Sequence, residues 1–157
     1  GNAPMEEIVM ALKTMYGVDV GIDTTKLTPL ANLVQRLTGV VVPTNKAIVG
    51  SGLYQIESGI IASWFKNCGE KNATELFPIR WSAVGQPPAE VVMGKGSGID
   101  SVNMWLKDVG MQVSEEDAMK VLQAVKLHSL TNKKMLSHAE FRDVARTTLG
   151  RTQQAAE

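Results

Sequence analysis

The stretch SEEDAMKVLQAVKLHSLTNKKMLSHAEFRDVARTTLG, residues 114–150, decides the fold class. Ser114 precedes three acidic residues, which is the pattern of a helix N-cap followed by a first turn that complements the helix dipole. Ser137 and Glu140 have the spacing of a capping box that opens a second helix. Apolar residues recur at helical spacing after both caps, so we predict two consecutive helices. The second helix is expected to bury Phe141, Val144, Ala145 and Leu149.

Outside this stretch, apolar residues that recur every three or four positions predict four more helices. The pattern places Gly59 inside one of them, where glycine costs about 1 kcal/mol relative to alanine. A tolerated cost of this kind indicates that a neighbouring segment packs closely against the glycine. The predicted helices cover residues 4–16, a segment that ends at Thr38, residues 55–66 and residues 99–109.

Little of the remaining sequence predicts extended structure. Residues 90–93 have the composition of a short strand, and the mixed segment 76–84 can hold another extended piece. The polar residues 67–72 are expected to form a loop. We therefore predict a mainly α fold with a little β, built from about six helices and one or two short strands.

The charge balance argues against two classes of partner. Sixteen basic and sixteen acidic side chains cancel, so there is no electrostatic reason to expect a nucleic acid or an anionic membrane. No apolar run approaches the roughly 20 residues that span a bilayer. Cys68 is the single cysteine, and a chain that forms no internal disulfide is expected in a reducing, cytoplasmic location.

The glycine-rich loop Gly94-Lys95-Gly96-Ser97-Gly98 is a candidate site. It follows a predicted strand and precedes a predicted helix, so its backbone N–H groups could point at an anion. It lacks the spacing of a Walker P-loop, in which Lys and then Ser or Thr open the helix. Two interpretations stay open, an anion-binding loop and a plain strand-to-helix turn.

Other polar residues give weaker signals. His128 and His138 lie at predicted helix ends, so structural roles are expected for both. Glu57 and Ser58 together with Lys46 could perform acid–base chemistry, although their spacing fits a solvated surface equally well. From the residues alone, the sequence contains no self-sufficient catalytic constellation.

Four stretches resemble segments of 2-isopropylmalate and homocitrate synthases, in the same order and at the same spacing. These enzymes are metal-dependent TIM-barrel proteins related to 3-hydroxy-3-methylglutaryl-CoA lyase. The resemblance extends over residues 1–149, nearly the whole chain. The stretches are GNAPMEEIVMALK at 1–13, RLTGV at 36–40, NKAIVG at 45–50 with ESGI at 57–60, and VMGKGSG at 92–98.

The resemblance implies how the chain is divided. Residues 1–20 would end the catalytic barrel, 21–67 would form lid-like linker helices, 68–150 would form a second helical subdomain with a short strand, and 151–157 would be a frayed tail. It also implies a homodimer through the helical subdomains, which cover the partner's active site around a 2-oxo acid substrate. Glu57, Ser58 and Gly59 would belong to this lid.

The resemblance also implies a metal cofactor for the complete protein. Asn2 matches the family's asparagine on or near a divalent metal, which we expect to be Mg²⁺, Mn²⁺ or Zn²⁺. The other family ligands, an Asp and an HxH pair, would lie upstream of this chain. Because one amide oxygen does not hold a catalytic divalent ion, no cofactor is expected here and the chain alone is expected to be inactive.

Three positions depart from the family's pattern. The histidine that the synthases use for proton transfer corresponds to Ile56, the second histidine of that motif to Ile61, and the histidine of the glycine-rich loop to Gly96. None of these side chains can transfer a proton. We therefore favour aldol or retro-aldol chemistry on a 2-oxo acid over condensation with acetyl-CoA.

Two functions remain in competition. In the first, the chain is the C-terminal segment of a carbon–carbon bond lyase, an aldolase or an acyltransferase. In the second, it is a non-catalytic dimerisation or regulatory helical module. The retained motifs favour the first function and the missing histidines favour the second. A third alternative is an ordinary helical domain with accidental matches.

Overall fold

The computed structural model of the protein describes residues 2–154, and the side chains of residues 2–150. Six α-helices and two short strands lie in this part of the chain, which confirms the predicted mainly α fold with a little β. The helices are α1 Met5–Met15, α2 Leu27–Thr38, α3 Gly59–Cys68, α4 Ile99–Asp108, α5 Glu115–Asn132 and α6 His138–Gln154. Strands β1 (Gln55–Ile56) and β2 (Glu90–Val91) pair in one sheet. Three 3₁₀ turns cover Thr24–Lys26, Glu70–Glu75 and Trp81–Val84. No helix in the described range is long and apolar enough to cross a membrane.

The chain divides into two compact units, each built from two segments. The first unit contains the residues up to Gln55 together with Phe77–Ala89, and the second contains Ile56–Leu76 and the residues from Glu90 onward. The division at residues 20, 67 and 150 that the resemblance implies concerns a complete enzyme and stays a prediction. Of the expected tail, residues 151–154 belong to α6, and residues 155–157 lie outside the described residues.

The second unit has a continuous apolar core between α4, α5 and α6. The predicted caps are present, because Ser114 Oγ accepts the Asp117 N–H at 3.1 Å. Glu140 Oε2 accepts the Ser137 N–H at 2.9 Å, and Ser137 Oγ accepts the Glu140 N–H at 3.3 Å. On the predicted inner face of the last helix, Phe141 and Ala145 are buried, and Val144 and Leu149 are partly buried against the same core. The fully buried members of the core include Met93, Val102, Val121, Val125, Phe141 and Ala145.

The helix predicted at 55–66 is wrong at its start. Ile56 lies in β1, where its carbonyl accepts the Val92 N–H at 3.0 Å, and the helix begins only at Gly59. Strand pairing competes successfully with the helix because Ile56 is β-branched and becomes buried. The apparent helical stripe was coincidental, since Ile60 is 81 % exposed.

Of the extended piece expected in 76–84, the backbone at Arg80 is extended but no strand forms there, and the loop expected in 67–72 is wrong. Helix α3 continues to Cys68, and two 3₁₀ turns follow it. The second turn, Trp81–Val84, ends at Gly85, whose φ of 72° lets its N–H return to the Trp81 carbonyl. The aromatic rings of Tyr54, Phe77 and Trp81 pack against one another beside this turn. Such local aromatic packing has no period that sequence analysis could detect.

The first unit is held by side chains that bond to backbone. Thr28 Oγ1 donates to the Val84 carbonyl at 2.7 Å, and Gln86 Nε2 donates to the Gly50 carbonyl at 3.0 Å. Both donors are buried, so these bonds fix α2 and the segment at Gly50 in this unit. The large apolar residues that remain exposed on α1, on α2 and in the segment after α2 are Met5, Ile8, Met15, Leu30, Leu33, Val34, Leu37, Val40 and Val41.

Candidate functional site

Two of the predicted site segments meet in the second unit, residues 57–59 and the loop 94–98, which we call the Glu57 clasp. Glu57 Oε1 accepts the Gly96 N–H at 2.8 Å. The Gly59 N–H donates to the Gly96 carbonyl at 3.2 Å. Both backbone polar groups of Gly96 are therefore bonded to residues 57–59. The clasp fixes the direction of one carboxylate relative to the starts of α3 and α4.

The glycines of the clasp are required by close approach. A Cβ on Gly94 would lie 2.5 Å from Glu57 Oε1, and a Cβ on Gly59 would lie 2.7 Å from the Gly98 Cα. None of these glycines has a positive φ. Glycine at these positions therefore provides space for the opposite segment. This agrees with the close packing that the helix-propensity cost of Gly59 predicts from the sequence.

Ser97 stabilises the loop from inside. Its fully buried hydroxyl accepts the Gly94 N–H at 2.9 Å, and its own N–H donates to the Gly94 carbonyl at 3.2 Å. The N–H groups of Gly94 and Gly96 thus have partners within the chain. Binding of an external anion by this loop stays a prediction, and these two N–H groups would have to exchange partners to take part in it. The observed geometry favours a strand-to-helix turn that holds Glu57.

Sequence analysis missed an acidic residue beside the clasp. Asp100, in the first turn of α4, accepts a hydrogen bond from Ser63 Oγ at 2.5 Å and one from Lys66 Nζ at 2.9 Å. The Ser63 hydroxyl and then the Lys66 ammonium lower the pKa of Asp100 below its ordinary value. Asp100 lies 37 residues from Ser63, so no motif spacing could have joined them.

Two of the three positions that carry family histidines are apolar and at least half-buried, and the third, Gly96, is exposed. Ile56 is buried in β1, and Ile61 is half-buried on α3. Neither side chain can donate or accept a proton. Ser58, at the N-cap of α3, is exposed and its side chain makes no capping hydrogen bond. Among the predicted lid residues, Glu57 is thus the group with both a charge and a fixed direction.

The weaker candidates make other contacts within their own units. Lys46 forms ion pairs with Glu6 at 3.0 Å and with Glu7, both in its own unit. Hydrogen bonds from the Lys46 ammonium to Glu7 and to Glu6 raise the pKa of that ammonium. The His138 ring stacks on the Trp105 indole with a centroid separation of 3.9 Å. His128 Nε2 is buried and has no hydrogen-bond partner among the described residues.

Asn2 does not form a metal site together with other described residues. It is exposed, and residues 2–150 contain no group of three or more His, Cys, Asp or Glu side chains that could hold an ion. A hard divalent cation takes about six oxygen ligands, so a lone amide oxygen does not fit it. We derive no metal-dependent step from the residues of this chain.

Comparison with known proteins gives several relatives of nearly equal similarity. A putative (R)-citramalate synthase of Methanopyrus kandleri is 39% identical over 151 residues, which are 96% of this chain and 28% of that protein. Homocitrate synthase 1 of a Nostoc species is 40% identical over 141 residues, which are 90% of this chain and 36% of that protein. A probable 2-isopropylmalate synthase of Methanopyrus kandleri is 39% identical over 126 residues, 80% of this chain and 24% of that protein. No protein-family model matches the chain. The chain spans about a quarter to a third of the length of these relatives.

Proposed function

The chain belongs to the family of 2-isopropylmalate, homocitrate and citramalate synthases, and we propose that it is the helical C-terminal region of an enzyme that makes or breaks a carbon–carbon bond of a 2-oxo acid. The proposal is supported by the similarity along 96% of the chain. It is also supported by the Glu57 clasp, in which two of the motifs shared with the synthases contact each other.

The clasp is the single observation that carries the proposal. A carboxylate that accepts a backbone N–H bond is held more firmly than a free surface glutamate, because a charge-assisted hydrogen bond is stronger than a neutral one. Glu57 Oε1 has such a bond at 2.8 Å, and glycine at positions 94 and 96 leaves room for it. We assign to Glu57, Ser58 and Gly59 the role of a lid wall that shapes the substrate pocket and excludes water.

For the reaction type, we favour aldol or retro-aldol chemistry. The aldol direction joins an enolate carbon to the carbonyl carbon of a 2-oxo acid, and the reverse direction breaks that bond. The described part of this chain offers no proton carrier at Ile56, Ile61 or Gly96, where the synthases carry histidines. A divalent ion, Mg²⁺, Mn²⁺ or Zn²⁺, would polarise the oxo acid, and we assign it to residues outside this chain.

For the assembly, we propose a homodimer through the exposed apolar face of the first unit. Leu37 and Val41 are each 77 % exposed, and Leu30, Leu33 and Val34 extend the same surface. Contiguous exposed apolar surface of this kind is typical of interfaces. A cytoplasmic location is part of the proposal and is supported by the single cysteine, Cys68.

The experiment that tests the reaction uses the full-length enzyme that contains this chain. It is assayed with Mg²⁺ or Mn²⁺ against a panel of 2-oxo acids, with and without acetyl-CoA, and products are identified by mass spectrometry. We expect carbon–carbon bond turnover without acetyl-CoA. A strict requirement for acetyl-CoA would refute the aldol assignment and favour acyl transfer, as in the synthases that the relatives' names describe.

The test of the lid uses Glu57→Gln in the same enzyme. Glutamine keeps an oxygen that accepts the Gly96 N–H but removes the charge, so folding should be unaffected. If the carboxylate faces substrate, kcat/KM falls about tenfold or more, within the range of a lost charge-assisted contact. Glu75→Gln, an exposed acid at the end of a 3₁₀ turn, is the matched control and should leave the rate unchanged.

The alternative is a non-catalytic dimerisation or regulatory helical module. It is favoured by the apolar residues at the histidine positions and by the independent core of the second unit. It predicts that full-length protein dimerises but shows no turnover with any 2-oxo acid, with or without acetyl-CoA. Turnover in the assay above would exclude it.

A further inference from the structure

A cleft of about 300 Å³ in the second unit is lined by three lysines, and the reaction proposed above does not use them. The lysines are Lys95 from the clasp loop, and Lys133 and Lys134 from the turn after α5. Two apolar residues, Leu130 and Met135, also line the cleft, and both are substantially exposed. The lining of the cleft therefore combines cationic and apolar side chains.

Two of the three lysines have no acidic partner in the described part of the chain. Lys134 is paired with Glu140 at 2.5 Å, whereas no ion pair or side-chain hydrogen bond is formed there by Lys95 or Lys133. Glu57 also lines the cleft, but its Oε1 already accepts the Gly96 N–H. The cleft thus carries two unpaired ammonium groups and one carboxylate, so its net charge is positive but Glu57 keeps its negative charge.

Lys133 occupies a backbone position that favours glycine. It caps the C-terminus of α5 in the left-handed conformation, with φ 51° and ψ 38°, and its N–H donates to the Ser129 carbonyl. Glycine or asparagine is the usual residue at such a cap, because a Cβ is unfavourable there. The lysine side chain lines the cleft, so a role in binding would account for a residue that local backbone preference disfavours.

We propose that this cleft binds the phosphoryl group of a small-molecule anion through the ammonium groups of Lys95 and Lys133. Lysine binds phosphate as a point charge, and an anion of diphosphate size fits a cavity of about 300 Å³. A ligand that also carries an organic portion would contact Leu130 and Met135. This site goes beyond the proposed reaction, and its lining shares Glu57 with the proposed lid wall.

The test measures binding of inorganic pyrophosphate to the full chain by isothermal titration calorimetry. We expect saturable binding that weakens as salt is raised, because the contact is between exposed charges.

Lys95→Ala and Lys133→Gly should each weaken binding about three- to fivefold, the upper range for one exposed charge pair. Lys133→Gly should also raise the melting temperature, since glycine suits the φ of 51°. Loss of binding in a variant that is more stable cannot be attributed to misfolding.

The control is Lys107→Ala, which removes an exposed lysine of the same unit that lines a different cleft. It should change the pyrophosphate affinity less than twofold. Equal losses of affinity in all three variants would overturn the proposal, because they would report only the net charge of the protein. Absence of saturable pyrophosphate binding would overturn it too.

Binding of adenosine diphosphate separates two sources of the phosphoryl group. Tighter binding than pyrophosphate indicates an organic phosphate, and equal binding indicates an inorganic one.

Discussion

In the second unit the apolar stripes of α4, α5 and α6 are buried against one another, whereas in the first unit those of α1 and α2 remain largely exposed. Val102, Val121 and Phe141 are fully buried. Met5 on α1 and Leu37 on α2 are 48 % and 77 % exposed. The same 3.6-residue pattern therefore has two outcomes. Periodicity specifies that a helix forms and which face is apolar, but the partner that covers this face must be found elsewhere.

The largest loss of stability is expected from a substitution of Phe141, in the buried core of the second unit. Its ring is fully buried and meets the Trp105 indole edge-on at a centroid separation of 5.3 Å. Phe141→Ala removes this contact and leaves a cavity, so we expect the free energy of unfolding to fall by about 3–5 kcal/mol. Urea unfolding followed by circular dichroism measures the change.

The matched substitution in the first unit is Leu37→Lys. Leu37 lies in the last turn of α2, where a cation is favourable to the helix dipole, and its side chain is exposed. We expect the free energy of unfolding to change by no more than about 0.5 kcal/mol. The dimer proposed above should dissociate, as measured by light scattering. A loss of stability comparable to that of Phe141→Ala would show that the exposed face contributes to the fold of the chain itself.

The next largest loss of stability is expected from a substitution in the Glu57 clasp. Gly94→Ala places a Cβ 2.5 Å from Glu57 Oε1, so the carboxylate must move or the loop must shift. Because the clashing atom is the end of a flexible side chain, the expected cost is about 1.5 kcal/mol, that of the lost hydrogen bond between Glu57 and the Gly96 N–H. The change is read from the urea midpoint. Gly150→Ala is the control, because no atom lies within 4 Å of its added Cβ and alanine favours the helix.

A double variant decides whether Glu57 is the group displaced. In Glu57→Ala the clashing oxygen is absent, so adding Gly94→Ala should then cost much less than in the native chain. The difference between the two costs is the coupling energy of the pair. Equal costs in both backgrounds would mean that the loop backbone, and not the carboxylate, resists the added methyl group.

Sequence analysis predicted the parts of the fold that local chemistry determines. The caps at Ser114 and Ser137 and the apolar stripe of α6 depend on residues within a few positions of one another. The start of α3 was mispredicted because Ile56 pairs with Val92, a contact 36 residues distant that overrides local helix spacing. Long-range pairing is decided by the energy of the whole fold and leaves no period in the sequence.

The candidate site was only partly predictable for the same reason. The sequence singled out Glu57 and the loop 94–98 as separate motifs, and the structure brings them into contact. Sequence analysis did not detect Asp100 with Ser63, or the cleft beside Lys133, because each depends on side chains from distant segments. The left-handed backbone at Lys133 could not be expected, since lysine has no preference for that conformation.

A smaller effect is expected at the first cap of the second unit. Ser114 Oγ accepts the Asp117 N–H at 3.1 Å, which satisfies one of the free donors at the start of α5. Ser114→Ala should lower the free energy of unfolding by about 1 kcal/mol. Ser114→Asp, which restores an acceptor, should recover most of the loss. If aspartate does not recover it, the hydroxyl contributes through something other than capping.

The smallest effect is a pH dependence at the second cap. The Lys134 ammonium, and then the Ser137 N–H, lower the pKa of Glu140 from 4.5 to about 2. Because the folded pKa lies below the unfolded one, the unfolded chain binds more protons across this interval. The stabilisation from Glu140 is therefore complete above about pH 5 and is lost as pH falls toward 2.

Glu140→Gln isolates this contribution, because glutamine is also a capping-box residue and keeps an acceptor for the Ser137 N–H. Melting temperatures of the native and variant chains should differ at pH 6 and converge as pH is lowered toward 2. Other carboxylates, such as Asp100 and Asp117, titrate in both chains, so their contributions cancel in the comparison. Salt should reduce the difference at pH 6 by screening Lys134 but leave the backbone hydrogen bond. Parallel melting curves down to pH 2 would mean that the ion pair with Lys134 contributes nothing to the folded state.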